Sequence, residues 1–153
     1  MNTIGKSLLL AATLLLASCT EGERARPADL IAPAPAYQDF GDLRVHFNAI
    51  PTLAMSEPMA RLYGIERDAS KALVTLALRT TANGEELATE GEVQAAVVDL
   101  QGLRQSIAFK PVRTGDYTDY IGTFRVAERD SYRFEVTVTS AGRSGTVNFQ
   151  RNF

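Results

Sequence analysis

The chain has 153 residues, with 16 basic and 18 acidic side chains, one histidine, one cysteine and no tryptophan. No segment carries a basic stripe, which excludes the concentrated positive face a nucleic-acid binder needs. One cysteine excludes an internal disulfide and leaves no ligand set for a structural zinc.

Residues 1–18, "MNTIGKSLLLAATLLLAS", have the layout of a secretory signal. Lys6 supplies the positive start and Ser7 to Ala17 the apolar core. That core is too short for a membrane-spanning helix, which needs about 20 apolar residues. Leu16-Ala17-Ser18-Cys19 resembles a bacterial lipobox, in which the thiol receives a diacylglycerol and the signal is cut before the cysteine. The spacing makes chemical sense, because Cys19 falls at the membrane surface with small neighbours that admit a peptidase. Added acyl chains then hold the protein stably, since a second chain already turns marginal membrane binding into firm anchoring. The residue after Cys19 is Thr20 and not Asp, and by resemblance to lipoproteins of two-membrane bacteria this favours transfer to the outer membrane. Residues 19–36 read as a tether. Ala-Pro-Ala-Pro-Ala is an extended spacer, and about seventeen residues at ~3.1 Å each span some 50 Å at most.

From Tyr37 to Phe153 the dominant period is two. Asp42 to Ile50 places Leu43, Val45 and Phe47 on one face, with Arg44, His46 and Asn48 on the other. Ser56 to Gly64 interrupts the alternation as a short crossover helix. Ser56 or Glu57 caps it, Pro58 sits in its first turn, and Gly64 stops it in the left-handed region. Met59, Leu62 and Tyr63 share a helical face that reads as core, and the helix is expected to plug one end of the domain.

Val74, Leu76 and Leu78 alternate next, followed by Asn83-Gly84, the strongest short hairpin signal. Glu92 to Leu100 is a further strand. "RQSIAFKPV" reads as another, with Pro111 marking an edge or an end. Tyr120, Gly122, Phe124 and Val126 alternate before the "ERDS" turn. Tyr132, Phe134, Val136 and Val138 alternate after it, and Val147 and Phe149 close the chain. About seven short strands with a turn signal every eight to twelve residues predict an all-β, immunoglobulin-like antiparallel sandwich with one short helix. Asp130 and Tyr132 resemble a tyrosine corner, in which the phenol bonds back to nearby backbone. Phe134 stands where an antibody domain carries its second cysteine.

Tyr37-Gln38-Asp39-Phe40-Gly41, Val45 to Asn48, and Tyr63-Gly64-Ile65 followed by Arg67 together resemble the small envelope proteins grouped as domain of unknown function 4426. The likeness covers Tyr37 to Phe153. It implies a secreted β-rich domain of Gram-negative bacteria with no established activity. An ordinary secretory signal is the expectation for that family, so the lipobox is a departure that changes the attachment and keeps the compartment.

Catalysis lacks parts. His46 is the only possible histidine base, no Gly-x-Ser-x-Gly elbow occurs, and acylation consumes Cys19. Asp116 and Asp119 could form a carboxylate pair but sit in a segment any hairpin could own. The expectation is therefore a non-enzyme without cofactor. It would bind or support an envelope protein partner, with His46, Tyr117, Asp119 and Tyr120 as candidate contacts. The alternative is small-ligand or copper binding, with His46, Met55 and Met59 offering nitrogen and sulfur to Cu(I). Core packing of both methionines competes with that alternative.

Overall fold

A computed structural model describes residues 36–153. The signal, Cys19 and all but the end of the tether lie outside the described residues. Ten strands form two antiparallel sheets. They are β1 (Tyr37–Phe40), β2 (Leu43–Pro51), β3 (Lys71–Ala82), β4 (Glu85–Ala88), β5 (Glu92–Val98), β6 (Arg104–Ile107), β7 (Phe109–Thr114), β8 (Tyr117–Arg125), β9 (Ser131–Ser140) and β10 (Arg143–Asn152). The six-stranded sheet runs β1-β2-β3-β8-β7, with β4 paired to β3. The four-stranded sheet runs β10-β9-β5-β6.

The period of two does what the sequence predicts. Leu43, Val45 and Phe47 on β2, Val74, Leu76 and Leu78 on β3, and Phe134, Val136 and Val138 on β9 all face the space between the sheets and are buried. Aromatic rings replace the disulfide of an antibody domain. Phe134 stacks on Phe149 with centroids 4.3 Å apart, and Phe124 meets Phe134 edge-on at 5.3 Å. The corner also forms: the buried Tyr132 hydroxyl accepts the Ala127 amide proton at 2.8 Å, and Asp130 accepts from Ser131 N–H at 2.7 Å. Asn83 and Gly84 both take positive φ, +52° and +84°, as a two-residue hairpin requires.

Three expectations are corrected. The strand count is ten rather than about seven, because four-residue edge strands (β1, β4, β6) are too short to show a period. The segment "RQSIAFKPV" is two strands in different sheets: β6 pairs with β5, β7 pairs with β8, and the chain crosses between sheets at Ala108. Gly122 makes room for that crossing. A Cβ there would lie 2.5 Å from Ile107 Cγ2 and 2.8 Å from the Ala108 carbonyl oxygen.

The third correction concerns the helix, α1 (Glu57–Tyr63). Its caps match expectation, with the Ser56 hydroxyl oxygen facing Met59 N–H at 3.4 Å and Gly64 at φ +61°. It does not plug an end of the sandwich. It lies on the outer face of the six-stranded sheet, where Met55 and Ala60 form a second apolar cluster with Leu73 of β3 and Ile121 of β8. Met59 and Leu62 point outward, 41% and 74% exposed. Thr52, fully buried, fixes the excursion: its hydroxyl donates to Asp68 O at 2.8 Å and accepts from Asp68 N–H at 2.9 Å.

Candidate functional site

α1 covers only one half of that outer face, and the other half is polar and open. Strand register builds it in two rows. Tyr37, His46, Ala77, Asp119 and Val112 lie opposite one another across β1, β2, β3, β8 and β7. Asp39, Arg44, Arg79 and Ala88 form the row beside it.

Arg44 and Arg79 are direct cross-strand partners, an unfavourable pairing of like charges unless each is neutralised. Asp39 takes Arg44 in a two-pronged contact at 2.7 and 2.9 Å, and Glu86 Oε1 accepts from the same guanidinium at 2.9 Å. Arg79 donates to Asp119 Oδ1 at 2.8 Å and to the Leu78 carbonyl at 2.8 Å. Each arginine also lies over a tyrosine ring, Arg44 at 4.1 Å from the Tyr37 centroid and Arg79 at 4.6 Å from that of Tyr117. The hydrogen bond from Arg44 holds the Asp39 and Glu86 carboxyls below their ordinary range, with His46 adding to the effect at Glu86. Those carboxylates in turn raise the Arg44 guanidinium.

His46 Nε2 lies 2.7 Å from Glu86 Oε2. β2 occupies one edge of β3, so β4 extends the same edge that β8 occupies. The contact between β2 and β4 therefore crosses β3, and the imidazole also lies 5.7 Å from the Tyr37 ring of β1. Three carboxylates face two guanidiniums, so the cluster carries one surplus negative charge whenever His46 is neutral. A shallow depression of about 350 Å³ adjoins it, lined by Ala36, His46, Asn48, Thr75, Ala77 and Asp119.

His46 and Asp119 thus share one row, with only the methyl of Ala77 between them, and Tyr117 lies beside them through Arg79. Tyr120 is elsewhere. It faces the core at 8% exposure, its hydroxyl donating to Gly91 O at 2.8 Å and accepting from Gly91 N–H at 2.9 Å. That clamp joins the sheets and leaves no side chain for a ligand. The methionines are not near His46 either. Met55 packs against Leu73, four residues along β3 from the partner of His46, or about 13 Å. Met59 is exposed on the helix. Glu86 is the residue that sequence reasoning missed. Its position after Asn83-Gly84 puts it on a hairpin, but nothing local shows it reaching β2. Among the described residues no three His, Cys, Asp or Glu side chains converge as a metal-ligand set.

The family model for Domain of unknown function (DUF4426) matches residues 37–153. The chain belongs to this family. Among solved structures it is similar to a DUF4426 family protein from Pseudomonas aeruginosa PAO1, with 22% identity, a TM-score of 0.63, and coverage of 76% of this chain and 92% of that one. It is also similar in fold to FetP of uropathogenic Escherichia coli strain F11. A copper-bound variant of FetP is 11% identical over 78% of this chain and 90% of that one, with a TM-score of 0.54. FetP as isolated after expression in the periplasm is 12% identical over 80% and 95%, also at 0.54. No curated protein sequence matches. At these identities the likeness to the solved structures concerns the fold.

Proposed function

We propose that this DUF4426 protein is a non-catalytic binding module, lipid-anchored through Cys19 to the periplasmic face of the outer membrane. It engages an envelope protein through the open half of the six-stranded sheet. One observation carries the reading: α1 shields one half of the outer face, while the other presents Tyr37, His46, Tyr117 and Asp119 on paired strands whose charged side chains satisfy one another. Tyrosine and arginine are enriched at protein contacts, and a face ordered beforehand loses little entropy on binding. The lipobox ending at Cys19 supports the anchoring, and the absence of Asp after it supports the outer membrane.

Crosslinking the native protein in its own envelope tests the partner. One stoichiometric protein is expected, lost in Tyr117→Ala with Asp119→Ala; capture that persists in that variant contradicts the face. Cys19→Ala is expected to leave the membrane fraction, and retention there refutes the anchor.

A second reading, metal binding, is favoured by the carboxylate-backed imidazole of His46 and by the copper named for a neighbour of the same fold. The sulfur ligands expected for it are set aside by the positions of Met55 and Met59, so Met59→Leu is expected to leave any copper binding unchanged.

A further inference from the structure

We propose that the end of the sandwich carrying Leu53, Leu100 and Leu103 docks on the lipid surface of the membrane that holds the anchor, with the β5–β6 turn as its inserting tip. The inference rests on the lipid-anchored reading above and adds which end of the domain meets the bilayer.

Strand directions define two ends. At one of them β2 finishes, β3 begins and β8 finishes, with Pro51, Ala72 and Phe124 partnered in a row. The four-stranded sheet brings its β5–β6 turn to the same end. Gln105, just past that turn, donates to the Arg125 carbonyl at 3.0 Å and accepts from Arg125 N–H at 3.1 Å. The opposite end holds the β1–β2, β3–β4, β7–β8 and β9–β10 turns, none of which exposes a large apolar side chain. The leucine end differs: Leu53 is 49% exposed, Leu100 70% and Leu103 63%.

A lone exposed leucine is ordinary. The β5–β6 turn, however, is built inside out. Asp99 is buried, its Oδ1 accepting from Leu103 N–H at 2.7 Å and its carbonyl from Gly102 N–H at 3.1 Å. Buried Asp130 reaches over from the next loop and accepts from Leu100 N–H at 3.4 Å. Two carboxylates thus face inward and hold the turn while two leucines face out, the reverse of the order that water favours. Gly102, at φ +85°, reverses the chain and leaves the leucines as the tip. A tip ordered in this way beforehand loses little entropy on entering an interface.

The position of the anchor selects lipid as the occupant. β1 runs antiparallel to β2, and one step before the Tyr37–His46 pair the Ala36 carbonyl accepts from Phe47 N–H at 2.9 Å. The chain therefore enters β1 heading away from the leucine end, and Cys19 lies upstream of that entry. A tether of some 50 Å at most keeps the tip within reach of the bilayer. Tethering also supplies a local concentration in the millimolar range, at which a weak contact is populated. A convex tip offers no groove for a peptide, whereas the headgroup boundary takes apolar side chains to a depth of about 5–10 Å without a shaped partner. Docked by this end, the domain keeps the open half of the six-stranded sheet, which lies toward the opposite end, clear for a protein.

Cys19 is the only cysteine and acylation consumes its thiol, so an introduced cysteine is a single labelling site. The test uses the full lipidated protein in vesicles of phosphatidylethanolamine and phosphatidylglycerol containing a nitroxide lipid. An environment-sensitive fluorophore is placed by Gln101→Cys at the tip, or by Asp116→Cys at the opposite end. The tip probe should shift to the blue and be quenched about 3-fold or more beyond the Asp116 probe. Adding Leu100→Ser with Leu103→Ser should abolish that difference while the protein still floats with the vesicles, and melting curves check that each variant is folded. Equal quenching at both probes in floating protein overturns the docking, as does undiminished tip quenching in the folded serine variant. Protein that does not float at all refutes the anchor itself, and the docking with it.

Discussion

The outer face of the six-stranded sheet has two halves made from the same three central strands. Where Ile50, Leu73 and Ile121 project, the surface is apolar, and the chain leaves β2 to fold a helix back over it. Where Arg44, His46, Arg79 and Asp119 project, nothing among the described residues covers it, and the polar groups satisfy one another through ion pairs. One half is stabilised by burial and tolerates little change in shape. The other contributes little to stability, because exposed pairs are worth about 0–1 kcal/mol, and so can be shaped for contact. Ordered polar groups on a face that does not hold the fold together are what a binding surface requires.

The contrast breaks first on the covered side. Ile121→Ala, at 3% exposure, should cost about 2–5 kcal/mol by denaturant midpoint, since it opens a cavity under α1. A loss below ~1 kcal/mol would mean the helix does not seal that half. Tyr120→Phe comes next, because it strands the Gly91 amide and carbonyl between the sheets. About 1–3 kcal/mol is expected, and an unchanged melting curve would move the residue back among ligand candidates.

On the open side the expected effects are local. Asp39 and Glu86 have carboxyls held below their ordinary values of 3.8 and 4.5. The folded form therefore binds these protons more weakly than the unfolded chain. Their stabilisation is full above about pH 4.5 and fades as pH falls through the lowered values. Amide protection in the β3–β4 hairpin, taken relative to the intrinsic exchange rate at each pH, should fall below about pH 4 before the core melts; simultaneous loss of both would show that the cluster is part of the core. The smallest effect belongs to Leu62→Ser on the outward side of α1. A change within about 0.5 kcal/mol is expected, and a larger one would bury a side chain that is 74% exposed.

Much of the fold is legible in the sequence wherever a strand is long enough to alternate. β2, β9 and β10 each run nine or ten residues with one buried face, and the Asn83-Gly84 turn and the caps of α1 are set by local stereochemistry. The face of α1 was not legible. Spacing favours Met59, Leu62 and Tyr63, yet a seven-residue helix has too few turns to bury a stripe. It docks through Ala60, and Met55 and Ile65 outside the helix supply the apolar volume. The site is half legible. His46, Tyr117 and Asp119 read as polar residues on or near strands, but only the register of β2 and β8 on either side of β3 puts them on one face. Glu86 is invisible because its contact with His46 spans 40 residues.

The most direct test of the open half as the binding face is a photo-crosslinking residue placed at exposed Asn48, compared with one at exposed Thr146 on the four-stranded sheet. In living cells the Asn48 probe should capture a single envelope protein while Thr146 captures none. Capture from Thr146 alone, or equal capture from both, would contradict the account.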